Sequence, residues 1–506
     1  MQERERILVD LMSKPGPAAP TAVKTVQIAI LGTGMGGLCM AAQLRRAGID
    51  SFVMIEKAGE IGGTWRDNIY PGSGCDVPSH LYSFSFEPKV DWSRKFALQP
   101  EILDYMKQVA RKYGLRPFIR FNTEVAEARF DEAERLWRIR TTTGEEITAN
   151  VVVSGTGQLN RPAYPKIAGL ETFAGKAFHS ARWDYDVDLT DKNVAVIGNG
   201  ASAIQFVPEI APKAKKLTIF QRSANWIVPK PDRPYTEFEK RMFRRFPWLV
   251  KLHRYQIYLT LERNFLAFIQ GSFFGKLFER ASRKEIETHI KDPELAKKLT
   301  PDYPAGCKRI LLSNDWFPTM ARPNVDVETS HIAKVTPEGL VTEDGVTHKA
   351  DVIIYSTGFE TTTFLAPMKI VGRGGRDLNE VWAKGAEAHR GVAVAGFPNF
   401  FILYGPNTNL GHNSIIFMLE CQVNYILQCI EALRSPKVKS IEVRKEAEDA
   451  FNRELQEDMQ RTVWAAGCSS WYKTAEGKVT NNWSTFTMRY WWQMRHPDFA
   501  EYALGA

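Results

Sequence analysis

Val26-Gln-Ile-Ala-Ile-Leu31, followed at once by Gly32-Thr-Gly34-Met-Gly-Gly37, decides how this chain folds. The β-branched run has the length and apolar continuity of a parallel strand buried on both faces. The glycines break it, and Leu38–Ala47 then reads as a helix that stops at Gly48. A second strand, Ser51–Ile55, ends on Glu56, 24 residues after Gly32. Strand, glycine turn, helix and strand make an α/β unit that cradles a dinucleotide. Gly32 makes the tight turn, Gly34 admits a pyrophosphate to the backbone, and Gly37 packs helix on strand. The helix N-terminus faces the anion, and Glu56 is placed to accept hydrogen bonds from ribose hydroxyls.

The unit recurs. Asn193–Ile197 is again a short buried strand, followed by Gly198-Asn-Gly200-Ala-Ser202-Ala203 and a helix through Ile210. Ala203 replaces the third glycine, a permitted variant. The next strand, Leu217–Phe220, runs into Gln221-Arg222-Ser223, and Arg222 stands 24 residues past Gly198, where the first unit has Glu56. A carboxylate there repels a 2′-phosphate, whereas a guanidinium and a hydroxyl bind one. The first site is therefore read as that of FAD. The second is read as that of NADPH, with NADH as the alternative, held by Gly198, Gly200, Ser202, Arg222 and Ser223.

The rest of the chain is arranged around these units. Gly62-Gly63-Thr64-Trp65 and Tyr70-Pro-Gly-Ser-Gly-Cys75-Asp76 read as backbone lying against a flat ligand, with a plain surface loop as the alternative. Gln99–Tyr113 reads as a helix, and Phe118–Val125 and Trp137–Ile147 as strands around a turn at Gly144. Val125 is counted with the first ligand. Val151–Gly157 closes the first unit beneath it. Residues 235–300 leave the strand–helix alternation and are read as a helical insertion. Its aromatic stretch, Phe243–Phe278, is interrupted by Arg244, Arg245, Lys251, Arg254, Arg263 and Lys276. Core packing is the expectation for it, with membrane-surface contact as the alternative. The tail aromatics Tyr490, Trp491 and Trp492 are expected to be buried.

Composition sets limits. A chain of 506 residues, 44% apolar and 25% charged, has room for two or three soluble domains. A net charge of +8 suits an anionic cofactor, and no Lys/Arg block argues for nucleic acid. The six cysteines lack metal-ligand or CxxC spacing, so we expect no metal site, free thiols and a cytoplasmic, reducing setting. Met1–Ala22 has no apolar signal core and reads as a short helix or frayed arm. No membrane-spanning run is expected.

Two long patterns carry a resemblance. Phe173-x-Gly175-x-x-x-His179-x-x-x-Trp183 resembles the fingerprint of the Baeyer–Villiger monooxygenases, and Gly63-x-Trp65-x-x-x-x-Tyr70-Pro71-Gly72-x-x-x-Asp76 matches a second pattern typical of them. If the first segment is helical, His179 and Trp183 share a face. The resemblance implies a coupling role for Phe173, Gly175, His179 and Trp183. It implies that Asp76 lies near the flavin and sets a catalytic arginine, that Lys308 binds the cofactor phosphate, that Arg309 is that arginine, and that Trp471 covers NADP. It further implies two Rossmann-like domains, the NADP domain inserted in the FAD domain. The expected boundaries are an arm over 1–23, the FAD domain over 24–160 and 346–506, and the NADP domain over 161–345. Asp351–Phe359 would lead the chain back to the flavin. Many such proteins carry Gly-Asp where this chain has Gly405-Pro406. The implied reaction turns ketone and O2 into ester or lactone through a C4a-peroxyflavin. An N- or S-oxygenating flavin monooxygenase is the nearest alternative, and a non-catalytic flavin sensor a remoter one.

Overall fold

Two sheets organise the protein, whose computed structural model describes residues 24–361, 364–465, 472–474 and 476–505. Met1–Ala22 and Trp471 lie outside the described residues. In chain order the strands are β1 (Lys24–Leu31), β2 (Phe52–Ile55), β3 (Ile119–Arg120), β4 (Val125–Asp131), β5 (Leu136–Thr141) and β6 (Glu146–Ser154). Next come β7 (Lys176–His179), β8 (Asn193–Ile197), β9 (Lys216–Phe220), β10 (Val325–Glu328) and β11 (Val352–Tyr355), then β12 (Lys369–Val371) and β13 (Phe400–Ile402).

The first sheet has the order β12-β4-β5-β6-β1-β2-β3, with β13 also pairing β6. β1 is parallel to both neighbours and sets Ile30 opposite Met54 and Val153. Its apolar continuity has a simple cause. Ile28 and Ile30 pack into the cluster that holds helix α1 (Met35–Arg46), while Ala29 and Leu31 pack beside Trp137 and Ile147 on the other face. The strand expected over Phe118–Val125 is cut short, because Asn122 takes a left-handed conformation with φ of 52°. The Gly144 turn joins β5 to β6, and β4, β5 and β6 form an antiparallel meander.

The second sheet, β10-β9-β8-β11-β7, is parallel throughout. Here a boundary must be corrected. Val352–Tyr355 was expected to return to the first unit, yet β11 lies between β8 and β7 inside the second sheet. The second unit therefore runs past Tyr355, not to 345. A four-residue buried run reads alike in either sheet, and only its neighbours choose.

Helix α2 is Gln99–Lys112 and α3 is Ala203–Ile210. The insertion is helical as expected, with α4 (Glu237–Arg245), α5 (Pro247–Arg263), α6 (Phe273–His289) and α7 (Pro293–Leu299). Thr236 and Glu239 cap α4 reciprocally. Helix α8 (Ile415–Ala432) is long and apolar enough to cross a membrane, yet it packs as a core helix. It packs against α1, where Leu419 lies near Gly36, and Ile416, Met418 and Tyr425 are fully buried. In the tail, α9 (Thr487–Gln493) buries Tyr490 but leaves Trp491 and Trp492 exposed, so the expected burial fails for both. Of the cysteines, Cys39, Cys75, Cys421 and Cys429 are buried and free, Cys307 is disulfide-bonded, and Cys468 lies outside the described residues. The expectation of free thiols does not hold for Cys307.

Candidate active site

β1 delivers the first glycine loop to the edge of a large cleft. A Cβ on Gly37 would sit 2.0 Å from the Gly32 carbonyl oxygen, so helix and turn can touch only through glycine. Gly34 caps α1, and a Cβ on Gly63 would lie 3.1 Å from its Cα, bringing the 62–65 loop against the first turn. Thr64 opens a single helical turn, and Trp65 Nε1 donates to Tyr82 Oη at 3.1 Å. Glu56 is buried at the end of β2 with both oxygens engaged. Oε2 accepts from Thr33 N (3.0 Å) and Oγ1 (2.7 Å), and Oε1 from Ala58 N (2.9 Å) and Arg66 Nη1 (2.9 Å). A carboxylate has about four acceptor sites, so a ribose hydroxyl must displace one of these donors. Val125 lies on the cleft wall at the start of β4.

The second loop is built the same way. Gly198 has φ of +102°, and a Cβ there would meet the Ser356 carbonyl oxygen at 2.4 Å. Gly200 faces open space, and the Ser202 hydroxyl makes no cap to α3. Beyond β9, Arg222 is exposed, with no ion pair among the described residues. Lys308 Nζ donates to Ser223 Oγ at 2.5 Å and lies 4.6 Å from the Tyr303 ring centre. Burial, then the charge of Arg222, holds the Lys308 ammonium below its usual pKa. Two cations and a hydroxyl thus converge where a dianion would relieve their repulsion.

Between the loops, Arg309 Nη2 meets Asp76 Oδ2 at 2.5 Å. The charge of Asp76 raises the Arg309 pKa further, with Tyr472 and Tyr404 also nearby. Burial pushes the neighbouring Cys75 thiol up to about 12, which leaves it neutral and inert. The loop carrying Asp76 is gripped from the other domain. Gln205 on α3 accepts from Tyr70 Oη (3.1 Å) and Gly74 N (3.3 Å) and donates to the Gly74 carbonyl (3.0 Å). A Cβ on Gly72 would strike the Gln205 backbone oxygen at 2.7 Å, so the grip is close. Both loops, Gln205, Arg222, Lys308, Asp76 and Arg309 line one cleft of about 1330 Å³.

Comparison with known proteins fits this geometry. Residues 29–245 match the pyridine nucleotide-disulphide oxidoreductase family pattern. A Baeyer–Villiger monooxygenase of Pseudomonas aeruginosa is 46% identical over 487 residues, spanning 96% of this chain and 92% of the relative. One from Streptomyces coelicolor is 46% identical over 94% of this chain and 92% of the relative. The chain belongs to the Baeyer–Villiger monooxygenase family. Among solved structures, OTEMO in complex with FAD and NADP superposes with a TM-score of 0.86 at 29% identity, covering 96% of this chain and all of that one. Oxidised steroid monooxygenase bound to NADP gives 0.84 at 30% identity over 95% of this chain and all of that one.

The motif from Phe173 to Trp183 occupies an unexpected place in this Baeyer–Villiger enzyme. It is no helix: β7 carries His179, and Ser180–Arg182 is a 3₁₀ turn. Phe173 packs on the second sheet, and a Cβ on Gly175 would meet the Asp351 carbonyl at 2.3 Å. Trp183 lies 5.1 Å from Phe206 on α3, the helix that carries Gln205. His179 is buried, its Nδ1 accepts from Ala181 N at 3.1 Å, and it does not line the cleft, although Ser180 does. Sequence reasoning missed Gln205, whose only signal is its place two residues past Ala203. It also missed Tyr404 and Tyr472 beside Arg309, which nothing in their spacing marks.

His179 supports a pH prediction. Burial pushes its pKa down to about 4, and the unfolded value is about 6.5. The native state therefore favours neutral imidazole. The stability this confers is complete above pH about 6.5 and is lost as pH falls through 4, roughly 3 kcal/mol in all. Buried His80, pushed down to about 3, acts in the same direction. Calorimetry should show Tm falling across this window and a shallower fall in His179→Gln. Identical profiles would remove His179 from the account.

Proposed function

We propose that this chain is an FAD-containing, NADPH-dependent Baeyer–Villiger monooxygenase. It would convert ketone, O2, NADPH and a proton into ester or lactone, NADP⁺ and water. The observation that carries this reading is the Arg309–Asp76 pair set between two glycine cradles in one cleft. FAD suits the first cradle, because Gly32 and Gly37 leave no room for a Cβ and Glu56 opposes a 2′-phosphate. NADPH suits the second, through Arg222, Ser223 and Lys308. Bound FAD supplies the centre that takes hydride and activates O2. Arg309 supplies a positive charge that deprotonation cannot remove, aimed by Asp76. Leu403, Leu410, Ile415 and Leu419 give part of the cleft wall an apolar lining that would limit water.

The test is mass spectrometry of products from cyclic, linear and aryl ketones, with an amine and a sulfide alongside. Ester from a ketone supports the reading. Oxidised amine or sulfide with no ester from any ketone overturns it in favour of N- or S-oxygenation.

Gln205 enters as a positioning residue. Gln205→Ala strands the Gly74 amide and removes one of the Tyr70 hydroxyl's partners, at a cost of about 1–3 kcal/mol, and loosens the loop before Asp76. The ester formed per NADPH should drop several-fold while FAD content holds. A purely structural role would lower FAD content or Tm and leave the ester-to-peroxide ratio unchanged.

A further inference from the structure

Helix α5 is apolar on the side that should be wet. Trp248, Leu252, Tyr255 and Leu259 are 61%, 46%, 56% and 42% exposed. Their spacing of four, three and four residues lines them up in one stripe. The helix already has an inner face, where Val250, Ile257, Tyr258 and Glu262 are buried. A second apolar face pointing outward marks a docking surface.

Charge identifies what docks. Arg245, Lys251 and Arg263 flank the stripe and have no ion pair among the described residues. The one acid of α5, Glu262, is turned inward and accepts from Asn413 Nδ2 (2.8 Å), Thr487 Oγ1 (2.7 Å) and Met488 N (3.0 Å). The Met488 bond sets the start of α9 beside the C-terminal end of α5. There Met488, Trp491 and Trp492 are exposed, and the Arg495 guanidinium lies 5.1 and 5.2 Å from the two indole rings. Pairing this face with its own copy would set Arg245, Lys251 and Arg263 against one another, while Glu237 and Glu239 of α4 are already paired with Lys240 and Arg233. An anionic bilayer surface satisfies both features: the stripe enters the headgroup boundary, indoles favour that depth, and the cations meet phosphates.

We propose that the α5 face, together with the exposed end of α9, rests on an anionic lipid surface. The contact is peripheral, and α8 stays in the core. Glu262 also ties this helix to Asn413, which lines the cleft, so the docked face lies about one helix diameter, roughly 10 Å, from the cleft wall.

Purified holoenzyme is to be sedimented with vesicles of equal parts phosphatidylglycerol and phosphatidylcholine, and with phosphatidylcholine alone. Binding is expected only to the anionic vesicles and should weaken as salt is raised. Arg245→Glu with Lys251→Glu should weaken it by about fivefold or more per cation removed. Trp248→Ser with Leu252→Ser should weaken it by roughly tenfold or more. Both variants should turn over a water-soluble ketone normally. No binding by the unaltered enzyme, or binding that neither variant weakens, overturns the proposal. So does a dimer in analytical ultracentrifugation that the Trp248 variant dissociates without any vesicle binding; the stripe would then serve a second copy.

Discussion

Replacing Arg309 by alanine is expected to leave hydride uptake from NADPH intact and to stop oxygen transfer to the ketone. The guanidinium lies between the two glycine loops, aimed by Asp76 at 2.5 Å, and that carboxylate raises its pKa further. In the proposed reaction it would be a fixed charge where negative charge develops during oxygen transfer. Removing one such stabiliser costs about 10²–10³ in rate. Hydride transfer depends instead on where NADPH sits, and Arg222, Ser223 and Lys308 remain to place it. Consumed NADPH should therefore appear as hydrogen peroxide in place of ester. Arg309→Lys should recover part of the yield, because it keeps charge but loses the planar fork that meets Asp76. Asp76→Asn should fall between, since the charge survives without its anchor. Peroxide assay, ester yield and anaerobic stopped-flow reduction decide the matter. A normal ester yield from Arg309→Ala would remove this residue from the chemistry.

Arg222→Ala should weaken NADPH far more than NADH. Arg222 is exposed and has no ion pair among the described residues, while Lys308 is held below its usual pKa by burial and by the charge of Arg222. Two cations kept close, whose repulsion outweighs the charge of Asp302 at Lys308, would suit the 2′-phosphate, which only NADPH carries. Losing a charged hydrogen bond costs about 1.5–3 kcal/mol, roughly ten- to a hundredfold in Kd. The NADH affinity should stay level. Titration of both cofactors by flavin fluorescence or calorimetry measures the ratio, and equal losses would show that Arg222 does not read the phosphate.

The two predictions rest on different kinds of information. The preference for NADPH is local. Glu56 and Arg222 each stand 24 residues past a first glycine, at the end of the second strand of a unit whose periodicity is plain in the sequence. Strand length, glycine spacing and helical period act over a few turns of chain, so both glycine units and the helical character of 235–300 could be read directly. The Arg309–Asp76 pair spans 233 residues of sequence and was reached only through resemblance.

Other features depended on the tertiary structure alone. Gln205 and Gly74 are 131 residues apart, and their contact exists because the two sheets face each other across the cleft. The strand Val352–Tyr355 joined the second sheet because β8 and β7 offered edges on both sides of it. His179 sits on a strand because that sheet accepted one more, whatever its four-residue spacing to Trp183 suggested. Trp491, Trp492 and the α5 stripe are apolar by sequence, yet composition cannot say which apolar faces the fold covers. By itself the sequence determined the local units, their ligands' charge and the periodic faces. Only the tertiary structure decided which distant groups meet and which faces stay open, because those outcomes depend on packing between segments and no local period encodes it.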